Sequence, residues 1–250
     1  MKLANLNGQP EIFYTLQGEG KSMGMPSVFV RLSLCNLYCK WCDTDYTWNW
    51  EGTPFEHVND ENPGYQKFHK KDMILEIGAE ELASMIRYYD CKNLVLTGGE
   101  PLLQQRELLK TVQLLKAFDR NYRIEIETNG TQVPVLAFDS LVDQYNVSPK
   151  LSNAGIEVRF RERPKAMTFF ARHPRAFFKF VVSSPFDLEE VDQLMETYSI
   201  PPQRMYLMPE GTLADTLEEK QLWLTEACKE RGVNFTTRLH VLLYGDRRGV

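Results

Sequence analysis

Short apolar segments recur along this chain of 250 residues, and each stops at a cluster of Gly, Asn, Ser or Glu before helical spacing begins. That alternation limits the possible folds more than any other feature. Ser27 to Leu32 reads as a strand and runs straight into three closely spaced cysteines. Helical spacing over 79–89 puts Leu82, Met85, Ile86 and Tyr89 on one face. Asn93 to Leu96 is a short apolar strand that ends at Thr97-Gly98-Gly99-Glu100-Pro101. A helix over 106–118 carries Leu108, Val112, Leu115 and Phe118 as its apolar set. Residues 123–127 alternate like a strand and stop at Thr128-Asn129-Gly130, and Tyr145 to Val147 leads into Ser148-Pro149-Lys150. Further strands over 177–182, 204–208 and near 234–237 alternate with helices over 188–198 and 217–231. Strands alternating with helices predict βα units and a parallel sheet. Chemistry in such sheets gathers at the carboxyl ends of the strands. The polar stops lie there, which predicts one site built by many strand ends. Two stretches, 47–73 and 157–175, break the pattern and read as insertions or loops over one barrel face of a single domain spanning 1–250.

The balance of charge excludes some functions. Lys and Arg total 29 against 34 Asp and Glu, a net charge of −5. A protein that binds nucleic acid through overall charge is usually basic, so no nucleic-acid partner is expected. No run of about 18 apolar residues is present, so no membrane-spanning helix is expected. The first eight residues turn polar too early for a secretory segment, and a cytoplasmic location is expected.

The five cysteines are unevenly placed. Cys35, Cys39 and Cys42 fall in a C-x3-C-x2-C pattern, whereas Cys91 and Cys228 stand alone and read as packing thiols. A disulfide framework spreads an even number through a chain. Structural zinc wants four ligands, usually as two pairs. Three thiolates suit a [4Fe–4S] cluster with one iron left open for a small ligand. Buried unpaired thiols and a zinc site remain the alternatives at this point.

This pattern resembles the signature of radical S-adenosylmethionine (SAM) enzymes. Trp41 stands before the third cysteine, and Thr97 to Pro101 resembles that superfamily's glycine-rich strand end. A narrower resemblance, to the 7-carboxy-7-deazaguanine synthase family, rests on Ile12 to Gly20, Gly24-Met25-Pro26, Phe29-Val30-Arg31, Cys35-Asn36-Leu37 and Trp41-Cys42-Asp43-Thr44. It continues at Thr97 to Pro101, Glu127 to Gly130, Ser148-Pro149-Lys150 and the tail from Arg238 to Val250. The fold implied is a modified partial (β/α) barrel of the radical SAM type.

The resemblance implies three cofactors: a [4Fe–4S] cluster on Cys35, Cys39 and Cys42, SAM, and Mg²⁺ on Thr44. It implies SAM contacts from Trp41, Asp43, Gly98, Gly99, Glu100, Ser148, Pro149, Lys150, Met208, Pro209, Glu210 and Gly211, with Glu100 receiving the SAM ammonium. The substrate implied is 6-carboxy-5,6,7,8-tetrahydropterin, met by Leu16, Gln17, Gly18, Glu19, Arg31, Thr97, His240 and the carboxylate of Val250. The reaction implied is ring contraction to 7-carboxy-7-deazaguanine with loss of ammonia, a step of queuosine and other 7-deazapurine biosynthesis. SAM would be used catalytically. A flavodoxin or similar electron donor and a homodimer complete the implied partners, and the basic residues between Arg159 and Arg175 are a candidate surface for the donor. Two other readings stay open: another radical SAM enzyme such as a glycyl-radical activase, and a non-catalytic metal-cluster module.

Overall fold

The computed structural model describes all 250 residues. Its strands are β1 (Lys2–Leu6), β2 (Gln9–Pro10), β3 (Ile12–Leu16), β4 (Pro26–Leu32), β5 (Ile74–Glu76), β6 (Asn93–Gly98), β7 (Arg123–Thr128), β8 (Gln144–Val147), β9 (Ala176–Val182), β10 (Met205–Pro209) and β11 (Asn234–Phe235). The helices are α1 (Lys70–Met73), α2 (Ala79–Arg87), α3 (Gln105–Phe118), α4 (Leu136–Asp139), α5 (Val158–Arg161), α6 (Pro164–Arg172), α7 (Asp187–Tyr198), α8 (Ala214–Arg231) and α9 (Leu239–Tyr244). The sheet runs β11-β10-β9-β8-β7-β6-β4-β1-β2, with β3 also on β4 and β5 on β1. Strands β4 and β6 through β11 are parallel, the α/β partial barrel expected from the alternation. The antiparallel strands β1, β2, β3 and β5 form an edge that the sequence pattern does not announce.

One core of 38 buried residues lies between the sheet and its helices. Leu82, Leu108, Val112 and Leu115 enter it from α2 and α3, as their spacing predicts. Phe118 does not: it is 61% exposed, under the guanidinium of Arg87. It stands at the last position of α3, where the helix has cleared the sheet.

The stretch 157–175 is not a loop over the barrel. It holds α5 and α6, which connect β8 to β9, and α6 buries Ala166, Met167, Phe170 and Ala171 against the core. Pro164 opens α6, where a missing N–H costs nothing. Its many arginines hide the apolar stripe from a reading of composition. Arg161 is buried and pairs with Glu190, and Arg175 donates to the carbonyls of Val142 and Asp139. Only the remaining basic residues of this stretch face water freely. No helix is long and apolar enough to cross a membrane.

Candidate active site

The carboxyl ends of the parallel strands surround a cavity of about 240 Å³. One wall is the loop that leaves β4. Cys35, Cys39 and Cys42 all line the cavity from it, with Trp41, Asp43 and Thr44 beside them. Leu37 and Cys39 are packed with Ala154 and Ile156 behind this loop. Trp41 is oriented by its indole N–H, which donates to the Asn153 carbonyl at 3.0 Å.

The three thiols are free; Cys39 is buried, and Cys35 and Cys42 are half-buried at the cavity wall. Burial pushes all three up, Cys39 to about 12; neighbouring thiols raise Cys35 and Cys39 further, and Asp43 raises Cys42. Three thiolates could persist here only against a bound cationic group. No three thiol, imidazole or carboxylate groups of the chain converge on a single-ion site. Three cysteine donors from one loop are the set that an iron–sulfur cluster with one open iron takes, whereas structural zinc takes four ligands.

Thr97, Gly98 and Gly99 line the cavity at the end of β6. The two glycines are required by the neighbouring chain. A Cβ on Gly98 would overlap the Leu32 carbonyl, and one on Gly99 would overlap the Leu34 carbonyl. The close approach lets Gly99 N–H donate to Leu32 and Glu100 N–H donate to Leu34, which fixes the entry to the cysteine loop. Glu100 itself is fully buried and outside the cavity wall. Its carboxylate accepts from the backbone N–H of Leu102 and Asn129 and from the Thr128 hydroxyl. These bonds tie the end of β6 to the end of β7.

From later strand ends come Ser148, Lys150, Met208, Glu210 and Gly211, all lining the cavity. Lys150 donates to the Ser148 hydroxyl at 2.9 Å and lies 5.7 Å from the Trp41 ring. Pro149 and Pro209 do not line the cavity, since each points away from its lining neighbours along an extended segment.

The opposite wall is polar. Leu16, Gln17, Gly18 and Glu19 enter from the segment after β3, which crosses the open floor of the partial barrel. Gln17 donates to Glu127 of β7 at 3.1 Å, Ser22 accepts from Gln144 of β8, Lys21 lies over Phe177 of β9, and Gly20 donates to Thr236. Gly18 is required because a Cβ there would overlap the His240 ring.

Two further charged residues, Lys179 and Arg238, line this wall, and Glu11 lies buried behind it. Lys179 of β9 pairs with Glu19 and with Glu127 at 3.1 Å. Arg238 pairs with Asp43 and with Glu19 at 3.2 Å. Glu11, fully buried, accepts from Arg31 Nε at 2.9 Å, from the Tyr46 hydroxyl and from Arg248 at 2.6 Å. Lys179 could have been found: a lone cation among Phe177, Phe178, Phe180 and Val181 needs a buried partner. Burial would raise the Glu19 carboxyl, but Lys179, Arg238 and His240 hold it well below the usual range. Burial depresses His240 despite Glu19 beside it. Only Nε of the Arg31 guanidinium is engaged, so its outer fork faces the cavity without a partner. The tail returns to the same place, and Arg247, Gly249 and Val250 complete the lining.

Comparison with known proteins gives the chain's relatives. Residues 30–165, just over half of the chain, match the Radical SAM superfamily. The chain is 39% identical to the 7-carboxy-7-deazaguanine synthase of Pyrobaculum aerophilum, over 96% of this chain and 95% of that one. It is 34% identical to the enzyme of the same name from Hyperthermus butylicus, over 93% and 91%. The crystal structure of QueE from Escherichia coli superposes with a TM-score of 0.63 at 28% identity, covering 92% of each chain.

Proposed function

Because the chain belongs to the 7-carboxy-7-deazaguanine synthase family of the radical SAM superfamily, we propose that it converts 6-carboxy-5,6,7,8-tetrahydropterin to 7-carboxy-7-deazaguanine, with Mg²⁺ required and SAM used catalytically. The observation that carries this reading is the division of one cavity into two chemically distinct walls. Three free thiols stand on one side, and a fixed set of charges stands on the other.

Cys35, Cys39 and Cys42 would hold a [4Fe–4S] cluster and leave one iron for SAM. When bound, cluster and SAM supply one-electron chemistry that ends in abstraction of a substrate hydrogen. The chain contributes binding and orientation. Lys150, Ser148 and the glycines of β6 offer polar groups to the SAM side of the cavity. Glu19 is held ionised and so acts only as an acceptor, which suits the N–H-rich edge of a pterin. The free fork of Arg31 suits the substrate carboxylate. His240, with its proton affinity lowered by burial, offers an uncharged ring beside Glu19. The Asp43 carboxylate is committed to Arg238, so Thr44 is the group left in that turn to meet Mg²⁺, which accepts few protein ligands and keeps water or substrate oxygens for the rest.

The reading also carries two macromolecular partners: an acidic one-electron carrier of the flavodoxin type, and a second copy of the chain. Exposed Arg159, Arg163 and Lys165 support the first, since Phe160 between them packs against the cysteine loop. Exposed Leu242, Leu243 and Tyr244 on α9 support the second.

The test is anaerobic. Protein reconstituted with iron and sulfide is reduced and given SAM, Mg²⁺ and the tetrahydropterin, and products are read by mass spectrometry. The expected result is 7-carboxy-7-deazaguanine in excess over the SAM consumed. SAM cleavage without that product would keep the radical chemistry and overturn the substrate. No cleavage by a loaded cluster would overturn the reading entirely.

A further inference from the structure

We propose that residues 47–68 form an aromatic clamp on the cysteine loop and that His57 is its positioning residue, holding the Cys42 carbonyl. This inference rests on the assignment of a cluster to Cys35, Cys39 and Cys42.

The segment was noted above only for breaking the strand–helix alternation. It adds no strand to the sheet and no helix to the core, yet it grips the cysteine loop at four separate points. The Thr47 carbonyl accepts from Leu34 N–H at 3.0 Å, just before Cys35. Val58 N–H donates to the Lys40 carbonyl at 2.8 Å. The Phe55 ring stacks on Tyr38 with centroids 4.1 Å apart and planes 10° apart. His57 Nε2 lies 2.9 Å from the Cys42 carbonyl.

The direction of that last bond follows from the other ring nitrogen. Nδ1 accepts from Asn59 N–H at 3.2 Å, so Nε2 carries the hydrogen and donates it to Cys42. The ring is fixed from both sides, by Trp48 edge-on at 6.3 Å and by Tyr65 stacked at 6.1 Å. The segment is braced within itself as well: Lys67 donates to the carbonyls of Thr53 and Phe55, and Tyr65 donates to buried Asp45. A buried, oriented ring N–H aimed at a ligand's own carbonyl sets the direction in which the chain leaves Cys42, toward Asp43 and Thr44. Partners behind a ligand fix its orientation and commonly change its hold on the metal by an order of magnitude or more.

The experiment compares the reconstituted parent with H57F and H57Q. Phenylalanine keeps a ring of similar size and loses the donor; glutamine keeps a donor. Three quantities are read: the rate of iron release to a chelator, the EPR spectrum of the reduced cluster, and the melting of cluster-free protein. H57F should release iron about tenfold faster than the parent, with a shifted EPR spectrum and unchanged melting of the cluster-free form. H57Q should recover much of the parent's rate. Should cluster-free H57F melt well below the parent, the comparison passes to F55L, which removes the Tyr38 stack and the edge contact with Trp48 while leaving His57 in place, and is expected to release iron faster as well. Iron release at the parent's rate from a folded variant overturns the clamp. A parent that takes up no cluster overturns the functional reading instead.

Discussion

Glu100 is held between opposing effects. Burial lifts its carboxyl from 4.5 to about 7, although three hydrogen bonds favour the ionised form. A carboxyl raised in the fold contributes stability that is complete below its unfolded pKa and is lost as pH rises through its folded one. The contribution from Glu100 therefore falls between about pH 4.5 and pH 7. Glu100→Gln does not titrate and removes that slope, at a fixed cost for turning an amide nitrogen toward backbone donors. Urea midpoints of cluster-free protein, measured across that window, should drift in the variant's favour as pH rises. Parallel curves would place the proton elsewhere. The same residue shows where sequence legibility stops. Gly-Gly-Glu after a strand marks a site, but sequence does not say whether the carboxylate faces the cavity or the backbone behind it. The positions of Gln17, Glu19 and Arg31 in the cavity wall were legible because their types and spacings travel together. Arg238 was not, since what defines it is a partner 195 residues away; Lys179 was legible only as a cation in need of a buried partner, and that partner lies 160 residues away.

Among the elements, β6 does the most to shape the site. Its register with β4 pairs Leu32 with Gly98, so the glycines meet the chain just where it turns into the cysteine loop. Gly98 takes φ of +129°, a conformation closed to other residues. Gly99 has no such strain, and its requirement is space alone. Gly99→Ala should cost about 1–3 kcal/mol, the usual range for overpacking a closed contact, and should lower cluster occupancy by displacing Leu34. Denaturant midpoints and iron content of the reconstituted variant check both. Loss of iron with unchanged stability would mean that Gly99 serves the ligand and not the loop. The strands and helices of the parallel array were readable because each keeps one period and ends at a polar stop. Helices α5 and α6 were not, because exposed basic residues flank and interrupt the four buried residues of the α6 stripe. The edge strands were hidden for a different reason: β1 and β3 sit beside turns and pair antiparallel, where no helix follows to mark them.

At the scale of the molecule the parallel sheet is open, and its two edges are joined by charges instead of a strand. The segment after β3 leaves the β4 side and meets Thr236 at Gly20, Phe177 at Lys21 and Gln144 at Ser22. The chain after β11 returns in the other direction, and Arg238 fastens it to Glu19 and Asp43 while Arg248 fastens it to Glu11 and the Asn5 carbonyl. The cysteine-loop wall and the charged wall of the cavity are therefore held together by Arg238, whose guanidinium also donates to the Gly211 carbonyl at 2.6 Å. Breaking a buried pair leaves an uncompensated charge and costs about 3–5 kcal/mol. Arg238→Met should pay a cost of that size, and hydrogen exchange should show where. Amides of 17–20 and 236–246 should lose protection, while those of β6 through β9 keep theirs, because the core of 38 residues lies on the far face of the sheet. Substrate KM should rise together with that opening. Uniform loss of protection across every strand would mean that the ion pairs support the barrel as a whole and do not act as a closure over its mouth.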